Sequence, residues 1–497
     1  MSRIRKEPVF IISLIIAVAI ILYGTVFSDN LITFAEAVMS WVSNTFGWLY
    51  IVFVSFLCIF LAWLAFGKYG KVRLGKDHEK PEYSNFHWFA MLFCGGTGIG
   101  LVFWSIAEPL SHYAAPPEGI TPGTVEAANF SIRICFLHWG ITQWVCFSLV
   151  ALGIAFFQYR KGKNALISNL LTPLVGEKMT AGWFGKGVDI FSVVVSYAGV
   201  ATSLGLGVTQ ICGGLDRLFG IPNNQRTWLI VIVVISIVFL FGAVTGVDKG
   251  IKFLASINTY IAFALLIVAF IVGPKIPIFN TLVNGVGQHI QNFFGDVMMT
   301  SASGDSNWIM NWRIFYYAWF IAWTPFVGMF IARISKGRTI REFIIGAVLI
   351  PTVFTIIWLS VFGTIALNTV GDWSIEAVLE LVASPQTAVF IVFSEYPLSK
   401  VISILVICLL AIFFITSADS ATYALGMMTS NGNINPPRYK EVVWAVISAT
   451  IAYVLLSAGS LKALQTISIA ASLPFLFIMM AMCPALMKEL REERRES

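Results

Sequence analysis

Cys94-Gly95-Gly96-Thr97-Gly98-Ile99-Gly100 stands in the middle of an apolar segment that runs from about Phe86 to Leu110. Four glycines within six positions, each costing roughly 1 kcal/mol against alanine in a helix interior, predict a break in the helix. The segment is otherwise long enough to cross a bilayer. Backbone N–H and C=O groups freed at membrane depth find no water, so such a break survives only where it is buried in protein or lines a cavity. The glycine stretch is therefore a candidate binding site.

The composition around it sets the class. Hydrophobic residues make up 58% of the 497, charged residues 12%, and the mean hydropathy is +0.82, values outside the range of soluble globular domains. Twelve candidate spans follow from the apolar segments: about 8–27, 47–67, 86–110, 130–158, 188–213, 227–247, 250–272, 312–333, 342–368, 400–429, 441–458 and 463–487. Each is near or above the ~20 residues that a bilayer demands. Basic residues precede the first span, but no small-residue cleavage site follows it, which predicts a retained span and not a signal peptide. All seven cysteines fall inside apolar segments, with no CxxC spacing or histidine partner; they are expected to be packing residues.

The net charge of +6 is less informative than its distribution. About 25 of the 32 basic residues fall at the N-terminus, after every second span and in the tail. The positive-inside rule then predicts a multi-pass protein of the cell membrane with both termini in the cytoplasm. No nucleic-acid partner is expected; membrane lipid is. Residues 276–297 place Phe279, Val283, Val286, Ile290 and Phe294 at helical spacing opposite Asn280, Asn284, Gln288 and Gln291. They predict an amphipathic helix on the outer surface, either merely seated there or making a subunit contact.

A second interruption is expected in the eighth span, at Trp323-Thr324-Pro325-Phe326-Val327-Gly328. If spans three to seven and eight to twelve are two halves of five, both breaks fall in the first helix of a half. An odd number of spans per half forces the halves to be inverted, the signature of a secondary transporter with its site at the midplane. The expected organisation is one membrane domain over 1–497: two leading helices (8–67), a first repeat (86–272), the surface helix (276–297), an inverted second repeat (312–487) and a short tail (488–497).

The aromatic inventory suggests a ligand. Trp139, Trp144 and Phe147 fall within a sector of about 140° on the fourth span, and the middle of the eighth carries Tyr316, Tyr317, Trp319, Phe320 and Trp323. Facing aromatic clusters suit a quaternary ammonium group, whose methylated head offers no hydrogen-bond donor and is held through aromatic faces. An enzyme would need a nucleophile–base pair or a metal motif such as HExxH, and the sequence has neither. A channel would want a repeated pore lining, and a receptor a domain outside the membrane.

Four segments sharpen this reading: Phe136-Leu137-His138-Trp139-Gly140-Ile141-Thr142-Gln143-Trp144, Thr202-Ser203-Leu204-Gly205-Leu206-Gly207, Trp323 to Arg338, and Phe413-Phe414-Ile415-Thr416-Ser417-Ala418-Asp419-Ser420. Together they resemble the betaine/choline/carnitine transporter family over essentially the whole chain. The resemblance implies an all-α membrane protein of twelve transmembrane helices, a LeuT-like five-plus-five inverted repeat preceded by two extra helices. It also implies a homotrimer and onium substrates.

Carried over by position, the family's aromatic box falls on Trp139, Trp144, Phe147 and Phe320, with Trp319 beside it and Trp323 one turn below. Phe147 stands where tyrosine is common, Phe320 where tryptophan is, and Arg313 and Tyr317 also depart from the usual run. Gly96, Gly98 and Gly100 complete the expected substrate site. Choline-selective relatives carry aspartate at the last glycine, so Gly100 favours a zwitterion such as glycine betaine, whose negative group free backbone N–H groups can meet.

By the same resemblance a sodium site maps onto Cys94, Thr97, Phe413, Thr416 and Ser417, and oxygen-only ligation suits a hard cation. A second site near Thr202 and Phe326 is expected on the same ground. Sodium-independent exchangers place an arginine where this chain has Asn258, so sodium symport is predicted, with Na+ as coupling ion and no cofactor. Exchange of carnitine- or betaine-type compounds and proton-coupled choline uptake are the alternatives. Glu108, His138 and Asp419 are expected to be structural. The sequence ends ten residues past Met487, which predicts transport without strong osmotic activation.

Overall fold

The computed structural model describes residues 7–496 except 97, 246, 247, 303 and 305, and leaves the Cys94 side chain undescribed. Among the described residues the chain is helical, with one isolated bridge between Arg73 and Thr339 and no strand. Among the described residues nine helices are long and apolar enough to span, or up to eleven if each of two bent pairs is one span. The sixth expected span is the shorter apolar stretch Gln225–Leu240. The described parts of the expected segments thus fall on helix, the last two on a continuous helix from Arg438 to Glu496.

Burial separates centre from periphery. In the fourth span, Val125–Arg160, and the eighth, Ile309–Ile334, 94% of the apolar window is buried, against 22% in the first, Pro8–Val26. The spans that carry the expected aromatic box therefore form the middle of the bundle, and the first span faces outward.

The third span breaks as its glycines predict. Helices Asn85–Gly96 and Gly98–Ala114 meet at Gly98, and the axis turns by 62°. Gly98 has φ +46°, a left-handed conformation that costs a residue with a Cβ about 1–2 kcal/mol.

The eighth span does not break. Phe315–Ile334 is one helix with Pro325 inside it. A single proline removes one backbone bond, which a membrane helix tolerates where neighbours re-satisfy the freed group; beside it the Thr324 hydroxyl donates to the Phe320 carbonyl at 2.8 Å. Gly328 serves packing instead: a Cβ there would stand 2.8 Å from Val150 Cγ1. The irregular part of this span is its entry, a π-helical turn at Ile309–Ile314.

The other interruption lies in the fourth span, where Val125–Trp139 and Ile141–Ala155 flank Gly140. Gly140 has φ −98° and ψ −130°, neither helical nor extended, and Thr142 Oγ1 donates to the Leu137 carbonyl at 2.5 Å. On the basic face, Leu74 N–H donates to Arg338 O at 2.8 Å and Gly337 N–H to Leu74 O at 2.7 Å. This clamp ties the loop after the second span to the loop after the eighth.

Candidate functional site

The fourth and eighth spans bring the expected aromatic residues together. Trp139 packs edge-on against Phe320 at 6.1 Å between centroids, Phe320 against Phe147 at 6.1 Å, and Phe147 stacks on Trp323 at 6.3 Å. Trp323 meets Trp319 at 5.8 Å, and Trp319 returns to Trp139 at 6.1 Å. Five side chains thus close a ring, with Trp144 outside it against Phe147 at 5.9 Å. All six are at most 4% exposed.

The broken third span is the floor of this ring, for a steric reason that the break alone does not reveal. A Cβ on Gly96 would lie 2.3 Å from Trp144, and one on Gly100 2.8 Å from Trp139 and 2.9 Å from Trp319. A Cβ on Gly98 would lie 3.9 Å from Trp323 and 3.5 Å from Ser417 Oγ. The glycines therefore let the backbone lie against the indoles. Trp323 is held from the other side, its Nε1 donating to Gly199 O at 2.9 Å. Gln143 Nε2 donates to Gly96 O at 3.0 Å, satisfying one carbonyl at the bend.

Glu108, expected to be structural, anchors one side of the ring. It is fully buried, and donors from three spans converge on its carboxylate. Trp139 Nε1 donates to Oε2 at 2.6 Å and Tyr316 Oη to the same oxygen at 2.5 Å. His138 Nδ1 lies 2.7 Å from Oε1 and His112 Nε2 3.4 Å from it. Glu108 thus fixes one wall of the ring through Trp139. The available signal was an acid inside an apolar span, which by default points to function; His112 is one turn away, but the partners on the fourth and eighth spans lie 30 and 208 positions away, beyond any local pattern.

Cys135 joins this cluster, its sulfur within 4.8 Å of ligand atoms of Glu108 and His112, a neighbourhood that its sequence spacing does not suggest. Arg313 is also buried; it donates to the Asp296 carbonyl and lies over the rings of Trp308 and Tyr317 at 5.9 and 5.8 Å.

Of the expected sodium ligands, Thr97 and the Cys94 side chain lie outside what is described. Phe413 and Thr416 are buried on the tenth span, Ser399–Met428, and Phe413 packs against Phe93 of the third at 6.2 Å. Thr416 Oγ1 bonds back to Ile412 O at 3.0 Å and Phe413 O at 3.2 Å, which leaves its lone pairs outward. Asn258 is buried on the seventh span, its amide N and O without a hydrogen-bond partner among the described residues. Thr202 is buried one turn from Gly199 and Phe326 one turn from Ala322, and a Cβ on Gly199 would lie 3.1 Å from Ala322 O.

A profile of the betaine/carnitine/choline family transporters matches residues 8–495. The chain belongs to the betaine/carnitine/choline transporter family. It is 43% identical over 495 residues to the glycine betaine transporter OpuD of Bacillus subtilis, covering 99% of this chain and 95% of that one. It is 42% identical to a probable glycine betaine transporter of Desulfitobacterium hafniense, covering 98% of each. An ectoine/hydroxyectoine transporter of Virgibacillus pantothenticus is 39% identical, over 99% of this chain and 98% of that one. Among solved structures, a substrate-bound, outward-open Na+-coupled sialic acid symporter matches with a TM-score of 0.50 at 14% identity, over 90% of this chain and 85% of that one. The transporter fold inferred from the sequence is thereby matched, and this family member is a multi-pass membrane transporter and not an enzyme.

Proposed function

We propose that this transporter takes up a quaternary-ammonium zwitterion, glycine betaine foremost, by sodium symport with alternating access. The observation that carries the reading is the closed ring of Trp139, Phe320, Phe147, Trp323 and Trp319 seated on Gly98 and Gly100. Aromatic faces attract a desolvated cation by ~2 kcal/mol or more. Two buried indole donors, Trp144 Nε1 and Trp319 Nε1, have no hydrogen-bond partner among the described residues, which suits a ligand that also carries a carboxylate. The named substrates of the similar proteins, glycine betaine and ectoine, agree with a small zwitterion.

Sodium is assigned to Cys94, Thr97, Phe413, Thr416 and Ser417, with a second ion near Thr202 and Phe326. Ser417 Oγ at the third-span bend and the outward lone pairs of Thr416 support the first site. Residues 86–272 and 312–487 are the two halves that would move against each other, with both termini cytoplasmic and three copies assembled in the cell membrane. The decisive experiment is uptake of labelled glycine betaine into liposomes holding the pure protein. An inward sodium gradient should drive concentrative uptake, and potassium in its place should not. Uptake that ignores sodium but needs preloaded substrate would make the protein an exchanger, and preference for choline would overturn the zwitterion reading.

A further inference from the structure

Glu108 and His112 stand one turn apart on the third span, and Cys135 and His138 three residues apart on the fourth, both spacings that put side chains on one helix face. The two faces meet. A carboxylate oxygen of Glu108, a ring nitrogen of His112 and the Cys135 sulfur all lie within 4.8 Å of one another, and all three residues are fully buried. Cys135 is a free thiol. Metal sites in helix bundles are assembled in this way, from inward-facing side chains on neighbouring helices.

Hydrogen bonding accounts for only part of the cluster. His138 Nδ1 is within bonding reach of Glu108 Oε1 at 2.7 Å, but His112 Nε2 stands 3.4 Å from that oxygen, beyond the ordinary range of about 2.7–3.2 Å. Two ligands of a tetrahedral zinc ion, each ~2.0–2.1 Å from the metal, lie about 3.3 Å apart. The far ring nitrogens, His112 Nδ1 and His138 Nε2, have no hydrogen-bond partner among the described residues, so no second bond keeps the His112 ring from turning onto an ion. Carboxylate, imidazole and thiol together suit a borderline-soft divalent metal, whereas calcium and magnesium take oxygen ligands. A route in is also present. A groove of about 470 Å³, lined by Glu126, Asn129, Gln288 and Phe130, lies at the end of these spans away from the basic loops. Phe130 joins it to the cluster, its ring packing edge-on against His112 at 6.3 Å. The charge of Arg133 in the groove is met by Asp296 at 2.7 Å.

We propose that Glu108, His112 and Cys135 bind a zinc-class divalent transition metal, which completes its shell with a water molecule and ties the third span to the fourth. On binding, Cys135 releases its thiol proton to the water that enters with the ion. His138 keeps its hydrogen bond to the carboxylate as the supporting partner that orients such a ligand. Because Glu108 also holds Trp139 and Tyr316, the bound ion fixes one wall of the aromatic ring and slows transport. The site rests on these side chains alone and stands whatever the transported substrate proves to be.

The test is titration of the pure full chain with cobalt(II) and then zinc, beside C135S, H112Q and a C212S control at another buried cysteine. Wild type and C212S should bind one cobalt ion per chain, with a thiolate-to-cobalt charge-transfer band that zinc abolishes. C135S should lose the band. C135S and H112Q should bind zinc at least ~10–100-fold more weakly, the cost of removing even a supporting partner. Zinc should raise the melting temperature of wild type and not that of C135S, and C135A repeats the comparison if serine unsettles the fold. Zinc should also slow uptake by wild type and C212S relative to their metal-free rates, and leave the rate of C135S unaltered. A band of equal strength in C135S, no band in wild type, or equal zinc inhibition of wild type and C135S overturns the proposal.

Discussion

Glu108 joins the box to its surroundings through single atoms, so its removal tests the site at its finest grain. Hydrogen bonds to a charged acceptor contribute about 1.5–3 kcal/mol, and Trp139 and Tyr316 share one carboxylate oxygen. Glu108→Gln keeps the shape but removes the charge, and should raise the KM for betaine uptake about tenfold, since 1.4 kcal/mol is a factor of ten. Tyr316→Phe, which removes one donor, should raise it roughly threefold. Saturation curves in proteoliposomes decide this; a fall in maximal rate and melting temperature with KM unchanged would leave Glu108 a scaffold residue only. The box itself was legible because helical spacing puts Trp139, Trp144 and Phe147 on one side of a span. Glu108 was not, because three spans must fold together before its partners meet.

At the scale of elements, the third and eighth spans show what glycine and proline each mean in a membrane helix. Four glycines could be read as a break because Gly98 takes a left-handed φ while Gly96 and Gly100 admit tryptophan rings. Pro325 could not, because one lost backbone bond bends a helix without ending it. The break at Gly140 escaped the sequence reading altogether, since a lone glycine in an apolar span carries little signal. Gly98→Ala should thus cost about 1–2 kcal/mol at the bend and cut uptake at least tenfold, whereas Pro325→Ala should leave uptake within about threefold of wild type. Initial rates with matched surface expression distinguish the two, and a Pro325→Ala defect equal to that of Gly98→Ala would make the eighth-span proline a working hinge after all.

For the whole molecule, hydropathy located the spans because each must satisfy its backbone within hydrocarbon, yet it could not say which surfaces stay uncovered. The helix Lys275–Val297 makes the point. One side is fastened to the chain: a Cβ on Gly285 would meet Phe136 at 2.8 Å, and Arg133 Nε lies 2.7 Å from Asp296 Oδ2. Its apolar residues, expected either to seat it at the surface or to make a subunit contact, point away from the chain, with Val283 74%, Ile290 72% and Phe294 58% exposed. Such a stripe at the membrane surface meets lipid or a second copy of the chain. Burying a valine or isoleucine contributes about 1.5–3 kcal/mol, so replacing two of them at a subunit contact should weaken association more than a hundredfold. Val283→Lys with Ile290→Lys should accordingly reduce the mass measured by light scattering in detergent from a trimer to a monomer, with betaine still bound. A trimer that survives both lysines would place the contact elsewhere and leave this stripe to the lipid.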